Sequence, residues 1–172
     1  KVLITWELPT ELKEFKDGEG QKPLQIRKEF TLSMSDKSNL RKMLVSWRGK
    51  DFTPEQAEAF DITALLGVPC MLTVVHKTAK SSGNQYADVG AVAGLPKGTE
   101  CPDQINPTFE FTFEQFDAEK LKLIPEWIQK KILTSAEYAA LPEDQKVTQS
   151  EEPATAENSV TEVAEGDDDL PF

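Results

Sequence analysis

The chain has 172 residues and a formal net charge of −11, from 19 Lys and Arg against 30 Asp and Glu. That length supports one domain with its own hydrophobic core and a tail. Two cysteines and one histidine predict neither a disulfide framework nor a structural zinc site, which needs four Cys or His ligands, and no apolar run approaches the ~18 residues of a membrane-spanning helix.

No secretory signal is read at the start, so Cys70 and Cys101 are expected to be reduced, one in the core and one in a loop. The charge is unevenly placed. Residues 1–140 carry 18 basic and 20 acidic side chains, whereas residues 141–172 carry one basic residue, Lys146, and ten acidic ones. The tail has no tryptophan or tyrosine, and its one phenylalanine is the final residue. Such a segment cannot bury enough apolar surface to offset chain entropy, and disorder is expected. The expected organisation is a domain at 1–141, an acidic linker at 142–166 and a terminal tip at 167–172. Inside the domain, residues 22–50 hold Lys22, Arg27, Lys28, Lys37, Arg41, Lys42, Arg48 and Lys50 against Glu29 and Asp36, a local charge of +6. That patch fits a polyanion as well as it fits ordinary solvated charge.

In chain order, Val2, Ile4 and Trp6 alternate with Leu3, Thr5 and Glu7, a strand that Pro9 should end. Residues 10–23 are polar, with Asp17-Gly18-Glu19-Gly20 as a flexible connection. Leu24, Ile26, Lys28, Phe30, Leu32 and Met34 then share one face of a long strand. The period changes at Leu40, Met43, Leu44 and Trp47, one face of a helix started by Ser38 or Asp36 and followed by Gly49. Thr53-Pro54-Glu55-Gln56 starts a second helix, and Asp61 a short third turn ending at Gly67. Val68 to Lys77 is nearly continuously apolar and predicts a strand that is buried on both faces or takes a barrel position. Ser81-Ser82-Gly83-Asn84 turns the chain into a partner strand, Gln85 to Ala93. After a Pro-rich loop, Phe109, Phe111 and Phe113 alternate as a fifth strand. Leu121 to Leu133 predicts a helix, with Pro125 in its first turn or at a break, and Ser135 caps a last short helix. Five strands with helical insertions predict a mainly β, α+β domain whose leading candidate is an OB-fold-like five-stranded barrel.

The chain ends Asp167-Asp168-Asp169-Leu170-Pro171-Phe172. Three carboxylates steer toward a basic surface, Pro171 limits the freedom lost on docking, and the Phe172 ring with its terminal carboxylate suits an apolar pocket beside a cation. This ending resembles the acidic C-terminal tip of bacterial single-stranded DNA-binding proteins, with Leu170 where Ile is usual. The resemblance implies recruitment of replication, recombination and repair proteins through residues 167–172.

A second resemblance spans roughly residues 30–140. Ser38-Asn39-Leu40-Arg41-Lys42, Trp47-Arg48-Gly49-Lys50 with Phe52-Thr53, Phe60-Asp61, Leu65-Leu66-Gly67, Cys70 and His76 carry it. Pro125-Glu126-Trp127 and Ser135-Ala136-Glu137-Tyr138 extend it. Together they resemble a family of bacteriophage replication-associated proteins, some described as single-stranded DNA-binding proteins. That family implies work in the cytoplasm of an infected bacterium, and assembly of several copies on DNA is compatible with it.

Single-strand binders join cations that follow the phosphates to aromatic faces that stack on bases. The candidate contacts are Arg27, Lys28, Arg41, Lys42, Trp47, Arg48, Lys50, Lys77, Lys80 and Tyr86. Trp6, Phe30 and Phe52 are further aromatic candidates. Trp47 and Phe30 lie on apolar faces, where core packing competes with stacking, and His76 at a strand end suits packing or hydrogen bonding better than ligation. No phosphate-binding loop, dinucleotide turn or nucleophile elbow occurs, and Asp51, Glu55, Asp61 and Asp88 match no two-metal spacing. No catalysis, cofactor or metal is expected. The alternative is an adaptor or inhibitor that occupies a host protein's pocket with the tip and binds no DNA.

Overall fold

The computed structural model describes residues 1–143 and 146. The acidic linker beyond those residues and the whole tip at 167–172 lie outside the described residues. The described residues form two compact units, 1–108 and 109 onward. The first is mixed α/β with antiparallel strands.

In the first unit, β1 (Val2–Glu14) pairs with β2 (Gln21–Phe30) in one ribbon, and β3 (Met71–Thr78) pairs with β4 (Gln85–Ala93) in another. The register sets Trp6 opposite Ile26 and Val2 opposite Phe30. The alternation of β2 therefore puts Ile26 and Phe30 into the core beside Trp6, all three buried. Pro9 does not end β1. Pairing lapses after Leu8–Leu24 and resumes at Leu12–Pro23. Pro9 has no N–H to give the ladder, so the strand passes it as an irregularity.

Helix α1 (Asn39–Arg48) follows the sequence pattern closely. The Ser38 hydroxyl accepts from Arg41 N–H, and Gly49 closes the helix at φ 75°, a conformation that penalises any Cβ. Its Leu40, Leu44 and Trp47 are buried. They meet Val89 and Val92 of β4, Phe52, and the Trp6 face of the first ribbon in one core. Each fully buried aliphatic side chain there contributes about 1.5–3 kcal/mol. Ser46 Oγ donates to the Val92 carbonyl at 2.7 Å and fixes α1 on β4. Helix α2 (Pro54–Glu58) has a full capping box between Thr53 and Gln56. Asp61 caps a single 3₁₀ turn, Ile62–Leu65.

Strand β3 is not buried on both faces. Only Leu72 and Val75 are half-buried, and Met71 and Val74 are 45% and 38% exposed. The ribbon has two strands and sends its core contacts through Val89 and Val92 of β4, so one face of β3 has no covering layer among the described residues. The hairpin turn forms as expected, with Ala79 N–H donating to the Asn84 carbonyl and Gly83 N–H to that of Ala79, both at 2.8 Å.

The fifth strand is absent among the described residues, and four strands in two ribbons do not make the expected five-stranded barrel. In the second unit Phe111 packs edge-on against Phe113 and Phe116, and Phe116 meets Tyr138 at a tilt. Local aromatic clustering takes Phe111 and Phe113, and Phe109 is left exposed. The expected helix 121–133 is two helices, α3 (Ala118–Lys122) and α4 (Glu126–Leu133), separated at Pro125. Ser135 caps α5 (Ala136–Ala139) as expected. No helix among the described residues is long and apolar enough to cross a membrane.

Candidate nucleic-acid interface

The cations expected to meet DNA fall into two groups in the first unit, and a third set is committed to the protein itself. Arg41 belongs to the third. Its side chain is 12% exposed. Its Nε donates to Asp51 at 3.1 Å, one terminal nitrogen to Asp36 at 2.6 Å and the Met34 carbonyl at 3.1 Å, the other to the Phe52 carbonyl at 2.9 Å. This guanidinium ties the segments on either side of α1 together and has no free edge for a phosphate. It also deepens the acidity of Asp51, whose carboxyl is held below the ordinary carboxylate value by the Phe52 N–H first and Arg41 second. Trp47 is in the core, 8% exposed, with Nε1–H donating to the Pro69 carbonyl at 3.3 Å. Arg41 therefore presents no surface contact, and Trp47 is accessible only through the pocket it lines. Trp6 and Phe30 are likewise buried.

One group lies on the β3–β4 ribbon. Lys77 stands opposite Tyr86, and Asp88, two residues further on, is the diagonal neighbour. Asp88 takes Lys77 at 2.6 Å and Lys28 of β2 at 3.4 Å. Lys28 also donates to the Val89 carbonyl at 2.6 Å, which joins the two ribbons. Burial opposes ionisation of Asp88, but the two ammonium groups outweigh it and hold its carboxyl below the ordinary value. The same bond raises Lys77 above the ordinary lysine value. Lys77, Lys28 and half-buried Tyr86 are thus brought together, with one carboxylate among them. Lys80 is exposed in the adjoining turn.

The other group flanks α1. Lys42 and Lys50 are exposed and make no ion pair among the described residues. Lys37, just before the helix, is the same. Arg48 lies over the Phe52 ring, 4.4 Å from its centroid, and otherwise reaches only the Gln56 amide oxygen at 3.4 Å. Its position in the last turn suits the negative end of the helix dipole. A pocket of about 350 Å³ opens beside it, lined by Trp47, Phe52, Phe60, Leu65 and Val68. Ser46, where α1 meets Val92, docks six residues along β4 from Tyr86, roughly 20 Å at strand rise. The two groups are therefore separate patches.

Arg27 belongs to neither patch. It projects from the opposite side of β2 to Lys28, is half-buried, and donates to the Gln25 side-chain oxygen at 2.5 Å. Burial lowers its pKa from the ordinary arginine value. Two participants were missed by sequence reasoning. Asp88 was readable as the diagonal partner of Lys77 once the hairpin register was set. Phe60, edge-on to Phe52 at 5.2 Å, had no local signal, because its partner comes from the other end of α2. The carboxylates considered for metal chemistry are dispersed. Asp51 and Asp88 hold cations, Asp61 caps the 3₁₀ turn, and Glu55 sits in the first turn of α2.

No protein family, characterised protein or solved structure matches the chain.

Proposed function

We propose that the protein binds single-stranded DNA without sequence preference, coats and protects it, and recruits replication or repair proteins through residues 167–172. The observation that supports this most is the set of cations around α1. Lys37, Lys42, Arg48 and Lys50 make no ion pair among the described residues, in a chain whose net charge is −11. In an acidic protein, four cations along and beside α1 without carboxylate partners among the described residues suit a polyanion. Arg48 on Phe52 beside an aromatic-lined pocket adds the stacking surface that single-strand binders use. Two antiparallel ribbons on a shared core supply the scaffold that holds these cations. The acidic ending supplies the recruiting element by its resemblance to bacterial single-strand binders.

The test is the salt dependence of binding to an oligo-dT strand for wild type and for Arg48→Gln with Lys50→Gln. Each lost phosphate contact lowers the slope of log K against log salt by about 0.7 for a single strand. A slope reduced by one to two contacts is expected. An unchanged slope in a folded double variant removes the α1 patch from the site.

A further inference from the structure

We propose that the pocket between α1, the residues flanking α2 and the 3₁₀ turn receives one unstacked base of the bound strand, with Arg48 on the adjoining phosphate. This rests on the DNA-binding reading and names the place where a base enters. The volume of about 350 Å³ lies within the ~300–1,000 Å³ of small-ligand pockets. Its floor is rigid, since Trp47 is held by its bond to Pro69 and Phe52 is buried. Phe60 and Leu65 form half-buried walls, and Val68 on the rim is 45% exposed.

The chemistry of the lining selects the occupant. Among the described residues Arg48 is the only charged side chain on the pocket, and the rest of the lining is apolar. The guanidinium is exposed, stacked on one aromatic ring, and has no carboxylate partner among the described residues. Lys50, exposed, follows two residues later. The complement of this surface is a ligand with a flat apolar body joined to a negative group, which is the form of a nucleotide in a strand. The side-chain lining offers no donors or acceptors to base edges apart from Arg48. The pocket therefore accepts any base by its face, as sequence-independent binding requires.

The test compares full-length protein on an oligo-dT strand and on an abasic strand of equal length and charge, by fluorescence anisotropy. Ala64, the exposed residue of the 3₁₀ turn, lines the pocket, so Ala64→Trp plugs it without removing core atoms, and Phe60→Leu removes an aromatic wall. Wild type should bind the abasic strand at least about fivefold more weakly, given the usual contribution of one stacked base. Either variant should bring oligo-dT down to the abasic value and leave abasic binding unchanged. Equal wild-type affinity for both strands, or a preference for bases that both variants retain, overturns the pocket assignment and leaves DNA binding standing. Absence of binding to either strand overturns both. A synthetic Asp-Asp-Asp-Leu-Pro-Phe peptide is the last arm. If it binds wild type but not Ala64→Trp while the two strands bind alike, the pocket takes an aromatic C-terminus and the base assignment fails.

Discussion

Replacing Asp88 by Asn should make the protein less stable and a better DNA binder. The substitution keeps the side chain's shape and removes the carboxylate shared by Lys28 and Lys77. Lys28 retains the Val89 carbonyl, so only part of the tie between the ribbons is lost. A hydrogen bond to a charged group is worth about 1.5–3 kcal/mol where it is shielded, and an exposed ion pair about 0.2–1 kcal/mol. Asp88 is 16% exposed, Lys28 33% and Lys77 53%, which places the loss between those limits, at about 1–2 kcal/mol. For a unit of this size that lowers Tm by roughly 5–10 °C. The effect on DNA has the opposite sign. Two ammonium groups beside Tyr86 lose their counter-charge, and each new phosphate contact steepens the single-strand salt slope by about 0.7. Thermal melting followed by circular dichroism, and anisotropy with oligo-dT at several salt concentrations, read the two effects separately. A folded Asp88→Asn protein with unchanged affinity and slope would remove the hairpin cations from the interface. An unchanged Tm would refute the clamp between ribbons.

Arg41→Ala should cost about 2–4 kcal/mol of stability, because two carboxylates and two carbonyls lose their shared donor; urea titration measures the loss, and the salt slope of the folded protein should not move. Leu44→Ala, at a fully buried position, should cost about 2–5 kcal/mol by the same titration, and a loss under 1 kcal/mol would contradict the packing of α1 on β4. Acid should release residues 105–106 from β1. Burial opposes ionisation of Glu7, but bonds from the Ile105 and Asn106 amides and the Asn106 side chain outweigh it, so its pKa is lowered. A lowered folded pKa means that this contribution is present above the unfolded value of about 4.3 and is lost as pH falls through the folded value. The Ile105 and Asn106 amide resonances should titrate together with a midpoint below about 4.3, and a higher midpoint would reverse the assignment.

What could be read directly from the sequence was local. Helix α1 announced itself through Leu40, Met43, Leu44 and Trp47 at helical spacing, with Ser38 and Gly49 at its ends. The capping box at Thr53 and the turn before Gln85 are likewise short-range signals, and both formed. The strand expected at Phe109–Phe113 failed because alternation describes a ladder only when a partner strand is available. Here Phe111 packs on Phe113 and Phe116 instead, and Phe109 is exposed. The apolar run of β3 misled for a related reason, since burial depends on a covering layer that the run itself cannot reveal. At the site, residue types were legible and their employment was not. Arg41 and Arg48 read alike in sequence, yet the carbonyls of Met34 and Phe52 take one while the other is left over a ring. Lys28 occupied an apolar face for a reason visible only in the pairing of ribbons, where Asp88 and Val89 meet it.

The most direct test of DNA binding is fluorescence anisotropy of a labelled single strand of about 30 nucleotides, long enough for several sites of ~4–16 nucleotides. The full chain is titrated at low and moderate salt, with duplex of the same sequence as competitor. Binding that weakens steeply with salt and that duplex does not displace is the predicted result. No binding at low salt would contradict the proposed function and leave the terminal tip acting alone on a protein partner.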